Sequence, residues 1–202
     1  RRMSRKQTQQ KDQETDTACA VNSGAQIADE RMKLTQLILD VTDDAVENVI
    51  DRYLSYSGAP QGNRIRDAYV FAKEAHAGQI RMNGEPYIIH PVAATEILVD
   101  LEVDEDTLVA ALLHDTVEDT DVTLEQVEER FGATVSKLVD GVTKLSRIAY
   151  SSKEELQAEN FRKMFLAMAK DIRVVLIKLA DRLHNMRTIK HKQPEKQIAT
   201  AR

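Results

Sequence analysis

The pair His114-Asp115 stands directly behind a nearly all-apolar run from Leu108 to Leu113, and Glu118-Asp119 follows within the next four residues. An imidazole and three carboxylates at the mouth of a buried segment are costly to desolvate unless a cation or a bound partner compensates them. A metal site is therefore the chemistry this stretch predicts. Two more candidates lie elsewhere: His90, next to Pro91, and Asp181, inside an otherwise apolar helical run where a buried acid needs a partner. His90, His114, Asp115 and Asp181 come from three separate predicted helices and can converge on one cation. Mixed nitrogen and oxygen ligands suit Mn²⁺ or Fe²⁺, and zinc is also compatible, whereas a set without thiols is not the usual structural zinc site. Such a site leaves positions open for water or phosphate oxygens. Glu118 and Asp119, displaced along the loop, would orient or deprotonate a water there and assist proton transfer to a leaving group. The competing reading makes Asp115, Glu118, Asp119 and Asp121 a solvated acidic loop, and the buried Asp181 weighs against it.

The elements that must position these residues read as helices. From Leu34 the apolar spacing becomes helical and runs to a breaker cluster, Tyr56-Ser57-Gly58-Ala59-Pro60. The next helix has Asn63 as its predicted cap, Ile65, Ala68, Tyr69 and Ala72 on one face, and Gly78 as a left-handed terminal residue. His76, in its last turn, reads as a helix-end histidine meeting the dipole. Asn83-Gly84 favours a tight turn and Pro86 to Ile89 reads as extended, giving a short hairpin-like segment from Gln79 to Ile89. His90 is placed at the N-cap of a helix with Pro91 in its first position, and Ala93, Ile97 and Leu101 as its buried stripe.

Asp104 should cap the helix carrying Leu108 to Leu113, which is apolar on all sides and so predicted to run through the centre of the domain. Thr123 with Gln126 forms a capping box for a helix closed by Gly132. Val135, Leu138, Val139 and Val142 mark another, and Ser151 with Glu154 begins a longer one through Phe161, Met164, Phe165 and Met168. From Asp171 to His191 a last helix is buried at Val174-Val175-Leu176-Ile177, after which Asp181, Asn185 and Thr188 continue the line of Ile177 as polar residues. The fold class predicted is an all-α helical bundle.

Hydrophobic content of 42% and charged content of 30% are ordinary for a soluble globular protein. No apolar run is long enough to span a membrane, and the single cysteine, Cys19, cannot form an internal disulfide, so a cytoplasmic setting is expected with no membrane partner. A net charge of −5 argues against direct nucleic-acid binding but not against an anionic small molecule. Residues 1–33 are polar and predict a disordered N-terminal tail, in which the basic cluster Arg1, Arg2, Arg5, Lys6 is solvated. Residues 34–202 form the predicted domain. The chain stops at Arg202 inside a helix-like run after Pro194, which predicts a fragment of a longer protein.

With the motifs in view, the chain resembles the hydrolase domain of the RelA/SpoT family of alarmone synthetase/hydrolases, within the HD phosphohydrolases. The resemblance rests on His114-Asp115 with Glu118-Asp119-Thr120, on Gly78-Gln79 and Arg81, on Gly84 to Pro91, on Ala111-Leu112-Leu113, and on Lys178 to Thr188. It implies an HD-domain fold and Mn²⁺-dependent removal of the 3′ pyrophosphate of ppGpp or pppGpp, giving GDP or GTP in the stringent response. It implies His90, His114, Asp115 and Asp181 as metal ligands and Glu118 and Asp119 as the catalytic pair. Arg81, Asn185 and Thr188 match positions that hold guanosine, and Asn83 stands where a small polar residue is frequent. Met82 departs from the lysine or other polar residue of many bifunctional members. The synthetase and C-terminal regulatory domains that follow in the family are absent from this chain, so no synthesis is expected of it. The alternatives are a catalytically silent regulatory module and an HD hydrolase of another nucleotide.

Overall fold

The computed structural model describes the backbone of residues 4–146 and 170–191 with Pro194, Gln197 and Ile198, and side chains from residue 29 onward within those spans, to residue 145 in the first. The expected helix from Ser151 through Met168 lies outside the described residues. Two units are distinguished, Arg1–Asp40 and Val41–Arg202. The helices are α1 (Ser4–Ser57), α2 (Asn63–Ala75), α3 (Ile89–Val99), α4 (Glu105–Leu113), α5 (Thr116–Asp119), α6 (Leu124–Phe131), α7 (Ala133–Ser146) and α8 (Ile172–Arg187), followed by a 3₁₀ turn at Ile189–His191. The fold is all-α. Among the described residues the nearest thing to a sheet is an isolated antiparallel bridge, Ile80 to Pro86, which is the hairpin-like segment. No described helix is long and apolar enough to cross a membrane.

In the first unit the backbone is helical where composition predicts an irregular tail. Residues 4–33 hold no proline and many good helix formers, Gln, Lys, Glu and Ala, so local propensity favours the helix even without a core to bury. Met32, Leu34 and Leu37 are exposed.

In the second unit α4 is the central element. Every residue from Thr107 to Leu113 is buried, and α2, α3, α7 and α8 pack around it. Its start is fixed by polar ties. Asp104 caps it by accepting from the Thr107 amide at 2.9 Å. Arg64 of α2 donates to Glu105 at 2.6 Å, Asp106 at 2.8 Å and the Phe131 carbonyl at 3.0 Å. Arg173 of α8 donates to Asp104 at 2.7 Å. These ties hold one end of α4, so its other end delivers His114 to a defined place. The capping box of Thr123 and Gln126 is formed, Gly132 closes α6 at φ +93°, and Val135, Leu138, Val139 and Val142 of α7 are buried.

Three local expectations are corrected. The residue capping α2 is Gly62 rather than Asn63, with no side-chain bond to the first amides, and a Cβ at position 62 would lie 2.4 Å from Ile50 Cγ2, an approach that favours glycine there. The Asn63 side chain bonds Gln61 instead. Helix α3 begins at Ile89, so His90 is in its first turn rather than at the cap, and Pro91 is accommodated where amides have no helical partner. Its buried residues include Val92, Ala94, Thr95, Leu98 and Val99 rather than the stripe Ala93, Ile97 and Leu101, and Leu101 is exposed. Eight of the eleven residues of this helix are apolar, so periodicity alone does not select a face.

Candidate metal centre and the grooves beside it

His114 ends α4, and its Nδ1 meets the Ala111 carbonyl at 2.7 Å. A carbonyl only accepts, so Nδ1 carries the proton and Nε2 presents its lone pair to the site. Helix α3 brings His90, buried at 2% exposure, and α8 brings Asp181. One ring nitrogen of each histidine and one oxygen of Asp181 lie within 4.8 Å of one another. His90 Nε2 is 3.2 Å from Asp181 Oδ1 and 3.5 Å from Asp115 Oδ2, and His114 Nε2 is 3.1 Å from Asp115 Oδ2. The structure therefore brings together His90, His114, Asp115 and Asp181 from three parts of the chain.

This donor set fits a divalent cation. His114 Nε2 is fully buried and, though 3.1 Å from Asp115, makes no hydrogen bond. A buried acceptor among carboxylates calls for a positive charge. Where no cation is bound, the same position draws a proton to Nε2. Burial alone would lower the His114 pKa, yet the Asp115 and Asp181 carboxylates and the Ala111 carbonyl push it up to about 9. Burial would likewise raise Asp115 and Asp181, but the protonated His114 holds the first, and its charge with the Lys178 ammonium helps hold the second, well below the usual carboxylate range. Two carboxylates kept ionised in a buried site are what a divalent ion needs.

Outer contacts fix the carboxylates. Lys178, one turn before Asp181 on α8, donates to Asp181 Oδ2 at 2.6 Å, and Asn185, one turn after it, donates to Oδ1. The Tyr87 hydroxyl lies 2.8 Å from both Asp115 Oδ2 and Asp119 Oδ2. Burial and the two acids push the Tyr87 phenol far above its ordinary value, so it is a donor throughout the working range. Its ring stacks on His76, with centroids 4.5 Å apart. His76 is thus buried packing for Tyr87, held by Gln79 at 2.8 Å, and not only a helix-end residue.

Two grooves flank the four donors. Glu118 and Asp119, expected in a loop, occupy the short helix α5 and are exposed on a groove of about 780 Å³ lined also by Gln79, Thr120 and Gln126. The second groove, about 230 Å³, is lined by Arg81, Met82, Asn83, Tyr87, Thr188 and His191 among others. Arg81 Nη2 donates to Asn185 Oδ1 at 3.0 Å, and the Thr188 hydroxyl donates to the His184 carbonyl at 3.0 Å. Asn83 is largely committed to its own turn, accepting from the Glu85 amide at 3.2 Å, where Gly84 takes φ +86°. Arg81, Asn83 and Thr188 thus share one groove, and Asn185 joins it to Asp181.

Sequence reasoning passed over Tyr87, Lys178 and His184. Lys178 stands three residues before Asp181 and His184 three after it, a helical spacing that could have flagged both. Nothing local marked Tyr87, whose role depends on the turn that carries it.

An all-α core around an adjacent His-Asp pair, with a further His and Asp delivered by neighbouring helices, defines an HD-type domain. Residues 68–202 match the family model described as HD domain. A Vibrio cholerae protein named guanosine-3′,5′-bis(diphosphate) 3′-pyrophosphohydrolase is 52% identical over 159 residues, covering 79% of this chain and 22% of the relative. An Escherichia coli protein named bifunctional (p)ppGpp synthase/hydrolase SpoT is 50% identical over 159 residues, with the same coverage of 79% and 22%. A solved structure of a metazoan ortholog of SpoT, described as hydrolysing ppGpp and playing a role in starvation responses, has a TM-score of 0.52 at 33% identity, covering 67% of this chain and 78% of that one. The chain belongs to the HD-domain family, in its RelA/SpoT branch. It spans about a fifth of the length of the curated relatives it matches, 22% in each of the two named.

Proposed function

We propose that residues 34–202 are the hydrolase domain of a longer protein and remove pyrophosphate from the 3′ position of ppGpp and pppGpp, leaving GDP and GTP. The observation that carries this reading is the Tyr87 bridge. One hydroxyl, its single proton shared, lies between Asp115, in the donor cluster, and Asp119, in the open groove, which supports reading the cation site and the acidic pair as one connected site. In this reading His90, His114, Asp115 and Asp181 hold Mn²⁺, which mixed nitrogen and oxygen donors suit. When bound, the ion supplies Lewis acidity toward the oxygens of phosphate and water. Glu118 and Asp119 do the proton work. One takes the proton of the attacking water as its oxygen bonds to phosphorus, and the other supplies a proton to the sugar 3′ oxygen as the P–O bond breaks. Tyr87 holds Asp119 in place. Arg81, Asn83, Asn185 and Thr188 hold the guanosine, with Arg81 fixed by Asn185.

The synthetase and regulatory domains are then partners in cis, beyond this chain, and the working compartment is the cytoplasm, where the nucleotide pool lies. A nucleotide panel tests the reading against hydrolysis of another nucleotide. Turnover with Mn²⁺ confined to guanosine 3′-pyrophosphates supports it, and equal turnover of 5′-nucleotides lacking a 3′ pyrophosphate overturns it.

A further inference from the structure

His184 is not used by the reaction above, yet it is buried at 9% exposure against one of the cluster imidazoles. The two rings meet nearly edge to edge, with centroids 4.9 Å apart and planes inclined by 30°. The two Nδ1 atoms are 2.7 Å apart. Nitrogens at that separation share a proton, and one ring must be the donor.

Arg81 decides which. Its Nη1 approaches His184 Nδ1 at 3.3 Å, and a guanidinium has no acceptor. His184 Nδ1 is therefore the acceptor, its own proton is on Nε2, and the proton of the short bond belongs to His90 Nδ1. That assignment leaves the His90 Nε2 lone pair facing Asp181 Oδ1 at 3.2 Å and Asp115 Oδ2 at 3.5 Å. It is the same tautomer that the Ala111 carbonyl imposes on His114 at 2.7 Å. Both imidazoles are turned Nε2-inward, one by a backbone carbonyl and one by a neutral imidazole.

We propose that His184 is a positioning residue of the metal centre: its Nδ1 accepts the His90 Nδ1–H and locks the ring with Nε2 toward the cation. Through Arg81 it also ties that ligand to the nucleoside groove. The inference rests on the cation site proposed above. Residues of this outer kind change metal affinity without touching the metal.

Two polar replacements of His184 separate acceptor from bulk. The carbonyl oxygen of Asn falls near the place of a histidine Nδ1, whereas that of Gln falls near Nε2. Calorimetric titration of the whole chain with Mn²⁺ alone should give His184→Asn an affinity close to that of the parent and His184→Gln a loss of about 10- to 100-fold. Unfolding midpoints of the metal-free variants should agree with each other. Equal affinity of His184→Gln and parent overturns the inference alone, and absence of Mn²⁺ binding by the parent overturns the cation site and the inference with it. A measurement without variants guards against misfolding. In the parent loaded with diamagnetic Zn²⁺, ring-nitrogen NMR should show His90 protonated on Nδ1, and a ligated Nδ1 would overturn the assignment.

Discussion

The Tyr87 hydroxyl lies 2.8 Å from Asp119 Oδ2, joining the short bridged turn before α3 to the exposed carboxylate at the end of α5. Tyr87→Phe removes this bond and the contact with Asp115 Oδ2 while keeping the ring stacked on His76. A hydrogen bond to a charged acceptor is worth roughly 1.5–3 kcal/mol. With Mn²⁺ saturating, the expected result is a fall in kcat of about 10- to 100-fold with KM little changed, since in the proposed reading the hydroxyl orients a reacting group rather than the nucleoside. Steady-state kinetics on ppGpp checks it, and an unchanged kcat would remove Tyr87 from the account.

Asp181 is 6% exposed and held ionised by neighbours that include Lys178. Calorimetry should show the parent melting at a higher temperature with Mn²⁺, the gain reaching about 2.7 kcal/mol at a free-ion concentration 100 times Kd. EDTA should reverse it. Asp181→Asn should show no Mn²⁺-dependent rise, and a rise equal to that of the parent would place the ion elsewhere.

The sequence was most informative where one helix carries its own pattern. The apolar run Leu108 to Leu113 announced a central helix, the Thr123 and Gln126 box announced the start of α6, and the line Asp181, Asn185, Thr188 announced a polar face. It was least informative where tertiary contacts decide. Gly62 packs closely against Ile50, which is distant in sequence, and the buried face of α3 is chosen by α4 and α8, not by a periodicity that its mostly apolar composition hides. In the site, the convergence of His90, His114, Asp115 and Asp181 was legible from residue types. The contacts of Tyr87 with Asp119 and of His184 with His90 were not, because each depends on a turn or a ring-to-ring hydrogen bond that spans elements.

Acid should loosen the clasp that fixes the start of α4. Asp171 is held below its ordinary value of 3.8 mainly by its hydrogen bonds to Arg173, and Asp104 is lowered, against the effect of its burial, by Thr107 and Arg173. A carboxylate lowered on folding adds stability that is full above the unfolded value and is lost as pH falls through the folded one. Arg173→Met should therefore be less stable than the parent at pH 7, with the gap closing below about pH 4. Urea unfolding midpoints at both pH values check this, and a gap independent of pH would contradict it.

Thr188 lines the smaller groove with Arg81 and Asn83 and donates only to its own helix. Thr188→Val keeps the volume and removes the hydroxyl. The expected result is a rise in KM for ppGpp of about 3- to 10-fold, roughly one hydrogen bond, with kcat and Mn²⁺ affinity unchanged. Loss of Mn²⁺ affinity would mean that the groove and the cation site are not separable.

The most direct measurement is pyrophosphate release from ppGpp by the purified chain, with and without Mn²⁺, with the nucleotide product identified. The account predicts Mn²⁺-dependent release of pyrophosphate with GDP as the other product. Mn²⁺ bound by the chain without any turnover, or release of single phosphates in place of pyrophosphate, would contradict it.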